Sequence, residues 1–155
     1  MANTQGATYS FMEDMLNAKQ AFGTTVVRAT TDPDDFRGAL YSTAAPLGPS
    51  TPAYTASGEV TGAGYTAGGN LLTFGTPPSI DGTAAIVTPS AALTFPTVSI
   101  GPFDCLLLYN DTLVGKNSVG AFTFPPQTIA AGNFSLTMPV NAAGTALIEL
   151  GLTPP

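Results

Sequence analysis

The side chains that could do chemistry are few in this sequence. Its 155 residues include ten acids, four basic residues, one cysteine and no histidine. Without histidine, a Cys-His pair or a Ser-His-Asp relay cannot be built, and common zinc sites lose their usual ligand. Cys105, in "DCLLLYN", fits a buried strand position where cysteine behaves as a small apolar residue. Carboxylates are therefore the remaining candidates for catalysis.

The one dense group of carboxylates is Asp32, Asp34 and Asp35 in "TTDPDDF". Proline marks a turn there, and aspartates bond their own backbone in turns, so a solvated turn is the first interpretation. A calcium site is the second, although the segment lacks the glycine and terminal glutamate of an EF-hand loop. A catalytic carboxylate pair, as in glycosidases, is the third. We predict that the chain is not an enzyme and holds no cofactor or metal.

A glycine-rich stretch, "GEVTGAGYTAGGNLL" at residues 58–72, invites comparison with phosphate-binding loops. Such a loop lies between a strand and a helix and uses a lysine or a downstream acid. Here "NLLTFG" and two prolines follow, which is too short for a helix. The stretch is predicted to be a turn between strands, where glycine reaches positive φ at no steric cost. We expect Tyr65 to pack its ring on the sheet or to lie at a subunit contact.

Composition restricts the possible partners. Only 9% of the residues are charged, against about 25% in a typical soluble domain. A surface so poor in charge indicates that other subunits cover much of it. The acids outnumber the scattered Lys19, Arg28, Arg37 and Lys116, so we expect no nucleic-acid binding. No apolar run reaches the roughly 18 residues that span a membrane, and no signal peptide is evident, so we expect no membrane association.

The N-terminal segment carries the only convincing helix pattern, over residues 8–22, with Gly23 as its stop. Its apolar residues have two possible uses: they cover the chain's own sheet, or they dock on a neighbouring protein. The preceding "MANTQGAT" is expected to be mobile. The predicted organisation is an arm and helix over 1–23 and a β domain over 24–155, forming one globular domain overall.

The rest of the chain reads as short strands between turns. The segments "TTVVRATT" and "FRGALYST" are predicted strands, and the Pro-rich stretch 44–53 is a loop. Turn signals at "PPSIDG", "GPF", "YNDT", "FPPQ", "AAGN" and "NAAG" then separate the remaining strands. These are expected near 56–61, 70–75, 84–88, 92–99, 103–110, 119–124, 133–138 and 145–151. The run 105–109 is the predicted central strand, buried on both faces. The fold class is mainly β: a single-domain β-sandwich or barrel-like fold with one N-terminal α-helix.

Two motifs carry a resemblance. "GAGYTAGGN" is followed some 30 residues later by "VSIGPFDCLLLYNDT", and together they resemble a family of small virion proteins of tailed bacteriophages. The matching positions are Gly64–Gly69 for the turn and Ile100–Thr112 for the strand and its exit, and the similarity extends loosely over 8–151. This chain departs from the family at Asp104-Cys105, where a basic residue and an aromatic are expected, and in a longer Pro-rich insertion.

The resemblance implies a structural component of the phage particle and brings no catalytic residue with it. We predict a capsid decoration or cement protein, located in the virion and assembled in the bacterial host cytoplasm. Its expected partners are the major capsid protein or neighbouring virion proteins, and its expected state is a homotrimer. The alternatives are a tail, collar or fibre component, or a carbohydrate-binding β-sandwich module, which the absence of tryptophan disfavours. The candidate partner-binding residues are Tyr9, Phe11, Met12, Met15, Leu16 and Tyr65.

Overall fold

The protein folds into two antiparallel β-sheets, which confirms the predicted mainly-β class. The computed structural model describes residues 3–8, 11, 15, 19–20, 22, 33–82 and 84–151. A five-stranded sheet has the order β1-β7-β6-β2-β3, and a three-stranded sheet has the order β4-β5-β8. The strands are β1 Gly6–Ala7, β2 Phe36–Ser42, β3 Asn70–Leu72, β4 Ser79–Asp81, β5 Ala84–Val87, β6 Leu93–Asn110, β7 Ser118–Leu136 and β8 Ile148–Gly151.

The C-terminal part of β6, residues 105–110, lies between β2 and β7 and is buried on both faces. Its alternate residues enter two different cores, because successive strand side chains point to opposite faces. Leu106 and Leu108 belong to a large core, whereas Cys105, Leu107 and Tyr109 belong to a smaller one. The apolar run 105–109 is therefore part of a central strand, as its sequence predicts.

The three-stranded sheet shares the large core with the five-stranded sheet. Val87 of β5 is buried in that core, and Ile148 of β8 packs against it. These two residues are direct cross-strand partners. One core filled from two sheets is the arrangement of a sandwich.

Three predicted turns lie inside long strands. The "GPF" turn falls within β6, where the Gly101-Pro102 peptide bond is cis. "FPPQ" and "AAGN" fall within β7. The predicted strands 92–99 and 103–110 are thus one continuous strand, β6, and the predicted strands 119–124 and 133–138 are one continuous strand, β7. Several register shifts between β6 and β7 absorb the irregular residues, because a bulge adds a residue to one strand without ending the ladder.

Other predictions differ from the structure in smaller ways. The expected strand 56–61 is a loop that makes a single bridge, from Glu59 to Tyr41. The expected turn "PPSIDG" contains β4, which pairs with β5. The "YNDT" turn is correct, because Asn110 ends β6 and the loop 111–117 leads to β7. The predicted strand 24–31 lies outside the described residues.

The N-terminal segment lies against the sheet over residues 3–8. Gly6 and Ala7 pair with β7, and the Asn3 amide donates to the Ser42 carbonyl and to Asp104 Oδ1. These six residues are therefore held by backbone and side-chain bonds, in contrast to the mobile arm that their composition predicts.

The predicted helix 8–22 is described at only a few positions. Phe11 and Met15 have helical backbone, and Thr8 Oγ1 accepts the Phe11 N–H at 3.2 Å, as an N-cap hydroxyl does. Lys19, Gln20 and Phe22 are not helical, so the prediction extends too far at its C-terminal end. The other positions of this segment lie outside the described residues.

Candidate functional site: the glycine loop and its tyrosine network

The glycine-rich stretch, residues 58–69 and here called the glycine loop, covers an edge of β2. Strand β3 pairs with β2 only from Phe36 to Gly38. Beyond that point the loop supplies the partners: Val60 N donates to the Leu40 carbonyl at 3.0 Å, and Ser42 N donates to the Gly58 carbonyl at 2.9 Å. The loop thus continues the edge that β3 leaves open, since an unpaired buried backbone group is costly.

Two glycines of the loop combine a positive φ with a close approach to another backbone segment. Gly69 has φ +70°, and a Cβ there would collide with the Gly38 carbonyl oxygen of β2. Gly64 has φ +79°, and a Cβ there would collide with the Thr97 carbonyl oxygen of β6. Both positions need glycine for its conformation and for its lack of a side chain. The glycine loop therefore packs closely on β2 and β6, and these glycines make room for protein backbone.

Glu59 is the acceptor that holds the loop together. Its Oε1 accepts the Tyr65 hydroxyl at 2.8 Å and the Gly68 N–H at 2.7 Å. Its Oε2 accepts the Tyr54 hydroxyl at 2.7 Å. Hydrogen bonds to an ionised carboxylate are shorter and stronger than those between neutral groups. One carboxylate therefore ties together three points of the chain between residues 54 and 68.

Tyr65 fixes the loop through both its ring and its hydroxyl. The ring stacks on Phe95 with centroids 5.7 Å apart, and the hydroxyl oxygen accepts the Leu40 N–H of β2 at 3.0 Å. This is the first of the two uses that the sequence suggests for Tyr65, packing on the sheet. A contact between Tyr65 and a partner stays a prediction.

Tyr109 joins the glycine loop to the central strand. Its hydroxyl donates to the Gly68 carbonyl at 2.8 Å, and its ring stacks on Tyr54 at 4.9 Å between centroids. The Lys116 ammonium lies over both rings, 5.6 Å and 6.0 Å from their centroids. These contacts bring the two motifs of the phage resemblance, "GYTAGG" and "LYNDT", into direct contact.

An ion triad lies beside this stack. Asp111 binds Arg37 Nε at 2.9 Å through Oδ2 and Lys116 Nζ at 2.8 Å through Oδ1. Arg37 also donates to the Gly69 carbonyl at 3.0 Å. The hydrogen bond from Lys116, together with Arg37, lowers the pKa of Asp111. Arg37 thus holds the end of the glycine loop, and Lys116 binds the Asp111 carboxylate that pairs with Arg37.

The tyrosines of the network stay protonated at neutral pH. Burial raises the pKa of Tyr65 and Tyr109, and it is raised further at Tyr65 by the bond to Glu59 and at Tyr109 by the nearby Asp111 carboxylate. Burial and the bond to Glu59 raise the pKa of Tyr54 to about 12. A phenol in this state is a fixed donor and a poor proton acceptor. The arrangement suits a structural role, in which the tyrosine hydroxyls hold separate chain segments together.

The remaining predicted site residues lie apart from the loop. Phe11 is buried in the large core, in edge contact with Phe22, and Met15 packs against that core. These contacts are those of a segment that covers its own sheet. Binding of a partner through these residues stays a prediction. Tyr9, Met12 and Leu16 lie outside the described residues.

The acidic turn contributes to structure where it is described. Asp34 Oδ2 accepts the amide of the fully buried Asn110 at 2.6 Å, and Asp35 N donates to Thr112 Oγ1 at 2.8 Å. Asp32 lies outside the described residues. In the described part of the chain, no three His, Cys, Asp or Glu side chains are grouped as metal ligands. The calcium interpretation remains without support there.

Most of the network was not found by sequence reasoning. Glu59 and Tyr54 give no periodic sequence signal because their bonds join positions of an irregular loop that has no repeating pattern, and Asp111 gives none because Arg37 lies on a strand far away in sequence. One compositional signal does point to Glu59. In a chain with so few charged residues, an acid between glycines and near several tyrosines is expected to make specific structural bonds.

The comparisons with known proteins identify no relative. The chain matches no known family model, no curated protein and no solved structure. Within the part of the chain that the structure describes, no helix is both long and apolar enough to cross a membrane.

Proposed function

We propose that this protein is a structural component of a tailed-phage virion, with capsid decoration as its role. The observation that carries the proposal is the contact between the two motifs of the resemblance. The tyrosine of "LYNDT" donates to a glycine carbonyl of "GYTAGG", and Arg37 donates to the next one. The motifs therefore belong to one structural unit, which is a reason for them to occur together.

The surface of β7 also supports a role in an assembly. No charged residue occurs between Lys116 and Glu149, a segment that contains all of β7. From residue 125 to 136 every position of β7 is exposed or half-buried. Among the described strands, β1 is the only one beside β7 on its outer edge, and it pairs there only with Gly120 and Ala121. Prolines and bulges interrupt part of this edge, but it lacks the charged side chains and the full cover with which monomeric proteins also protect an exposed edge.

The direct experiment measures binding to particles. Heads and tails of the encoding phage, prepared without this protein, are incubated separately with the purified chain and sedimented. Decoration predicts saturable binding to heads, with a copy number set by capsid symmetry. Binding to tails alone would favour the tail, collar or fibre alternative. Binding to neither, with binding to a host glycan, would refute the virion role and favour a carbohydrate-binding module.

A further inference from the structure

An apolar cavity lies over the large core, beside β6 and β7. Leu106 and Leu108 of β6 and Phe122 and Phe124 of β7 line it. Leu106 and Phe122 are direct cross-strand partners, and the spacing of two residues keeps each pair on one face of its strand. The cavity has a volume of about 100 Å³ and is here called the core cavity.

The chain that follows β7 forms another wall of the core cavity. Leu136, Met138 and Leu147 line this wall, and all three are partly buried against the large core. Leu136 pairs with Leu93 of β6. The Leu147 N–H donates to Thr88 Oγ1 at 2.8 Å. These contacts hold the wall in place, so the cavity is present before any molecule enters it.

Thr137 and Pro139 mark the entrance of the core cavity, because both line it and both are exposed. Met138 stands between them in the chain. Its unbranched side chain has three rotatable bonds and adapts to irregular spaces. A small molecule can therefore enter at this point without the separation of any paired strands.

Water is a poor occupant of the core cavity. Nearly all of the surface that faces the cavity is apolar, and Thr137 is the one polar side chain among the described residues that line it. A buried water needs about two to four polar partners, so apolar cavities of this kind stay dry. The wall atoms of a dry cavity lack contacts on one side, and an apolar molecule supplies those contacts.

We propose that the core cavity binds a small hydrocarbon, with a single aromatic ring as the class of ligand. An apolar cavity of about 150 Å³ in another protein accepts benzene, and the core cavity is of the same order. A polar ring of the same shape is disfavoured, because its nitrogen atoms would lose their hydrogen bonds to water without replacement. The inference goes beyond the proposed decoration role, since the binding of a small molecule and the binding of a particle are measured separately.

Benzene is the probe for this site, and pyrimidine is the polar ring of the same shape. The full chain, isotope-labelled in its leucine methyl groups, is titrated with each compound and followed by NMR. Benzene should shift the methyl signals of Leu106, Leu108 and Leu147 saturably, with a Kd on the order of 1 mM, because so small a ring buries little apolar area. Pyrimidine should bind at least about tenfold more weakly.

Two variants with the same substitution locate the binding site. Leu147→Phe fills part of the core cavity, so its Kd for benzene should rise about tenfold or more. Leu71→Phe is the matched control, because Leu71 precedes the lining residue Leu72 but is 50% exposed on the other face of β3. Its Kd should equal that of the wild type. Circular dichroism checks folding, and Leu136→Phe replaces Leu147→Phe if that variant unfolds.

Three results would overturn the proposal. They are methyl signals that benzene does not move, pyrimidine binding as tight as benzene binding, or a folded cavity-filling variant with wild-type affinity. The first would show that the segment 136–139 closes on the cavity in solution, and the second that the site is not apolar. The third would show that benzene binds elsewhere. Particle sedimentation does not depend on these outcomes, so the decoration role is judged by its own experiment.

Discussion

Removing the Tyr65 hydroxyl tests whether the glycine loop is fastened by the network described above. In Tyr65→Phe the ring can still stack on Phe95, but Glu59 loses a donor and the Leu40 N–H loses its acceptor. A hydrogen bond to a charged group contributes about 1.5–3 kcal/mol, and an unsatisfied buried N–H costs about 1–3 kcal/mol. Glu59 Oε1 keeps the Gly68 N–H, so its carboxylate is not left without a partner there.

We expect Tyr65→Phe to lower the free energy of unfolding by about 2–4 kcal/mol. In a domain of this size, that corresponds to a melting temperature lower by roughly 4–16 °C. Urea unfolding, followed by far-ultraviolet circular dichroism, measures the change.

The matched control is Tyr54→Phe, which removes a hydroxyl from the same Glu59 carboxylate. No strand N–H depends on that hydroxyl, and water can replace it at the more exposed ring, so we expect a loss of about 0.5–1.5 kcal/mol. Equal losses in the two variants, or a Tyr65→Phe loss below about 0.5 kcal/mol, would refute the assignment of Tyr65 as the cap of the β2 edge.

Three further predictions concern single positions. Gly69→Ala should cost more than 3 kcal/mol by urea unfolding, because a Cβ meets backbone there, whereas Gly82→Ala, with φ +59° and open space around it, should cost only the strain of about 1–2 kcal/mol. The pKa of Asp111 is lowered in the folded protein, so its ion pairs add stability above its unfolded pKa of about 3.9, which is lost as pH falls through the folded pKa. Asp111→Asn should therefore melt below the wild type at pH 7, with a gap that narrows below about pH 4; a constant gap would contradict this. Burial raises the pKa of the Cys105 thiol to about 12, so a thiol reagent at pH 8 should label it only as fast as the protein unfolds, and rapid labelling of the native protein would contradict its burial.

Local patterns predict the strands of this fold well where pairing is regular. "FRGALYST" alternates and forms β2, and the run from Cys105 to Tyr109 is uniformly apolar and buried on both faces. The patterns fail where tertiary contacts override turn chemistry. Pro102 and the two prolines of "FPPQ" read as chain breaks, yet they lie in strands whose bulges and open edge tolerate a missing N–H.

The candidate site was predictable only in its outline. The glycines indicate a corner, and Tyr65 is the obvious ring to anchor it. The acceptor Glu59 gives no local signal, because its partners Tyr54, Tyr65 and Gly68 are brought together by the fold of the loop. The same holds for Asp111, which binds Arg37 from a strand more than 70 residues away in sequence. The pairing of Asp111 with Arg37 is determined by the topology of the sheet, which no local sequence pattern encodes.

The distribution of charge connects the loop to the proposed assembly. Glu59, Asp111, Arg37 and Lys116 satisfy one another or the backbone around the glycine loop. Charges used in this way contribute less to keeping molecules apart than free surface charges do. The exposed part of β7 carries no charge at all, so little electrostatic repulsion opposes a partner there. A chain that uses four charged residues to hold an internal corner, and leaves a long strand edge neutral, has the kind of surface that the proposed virion role requires.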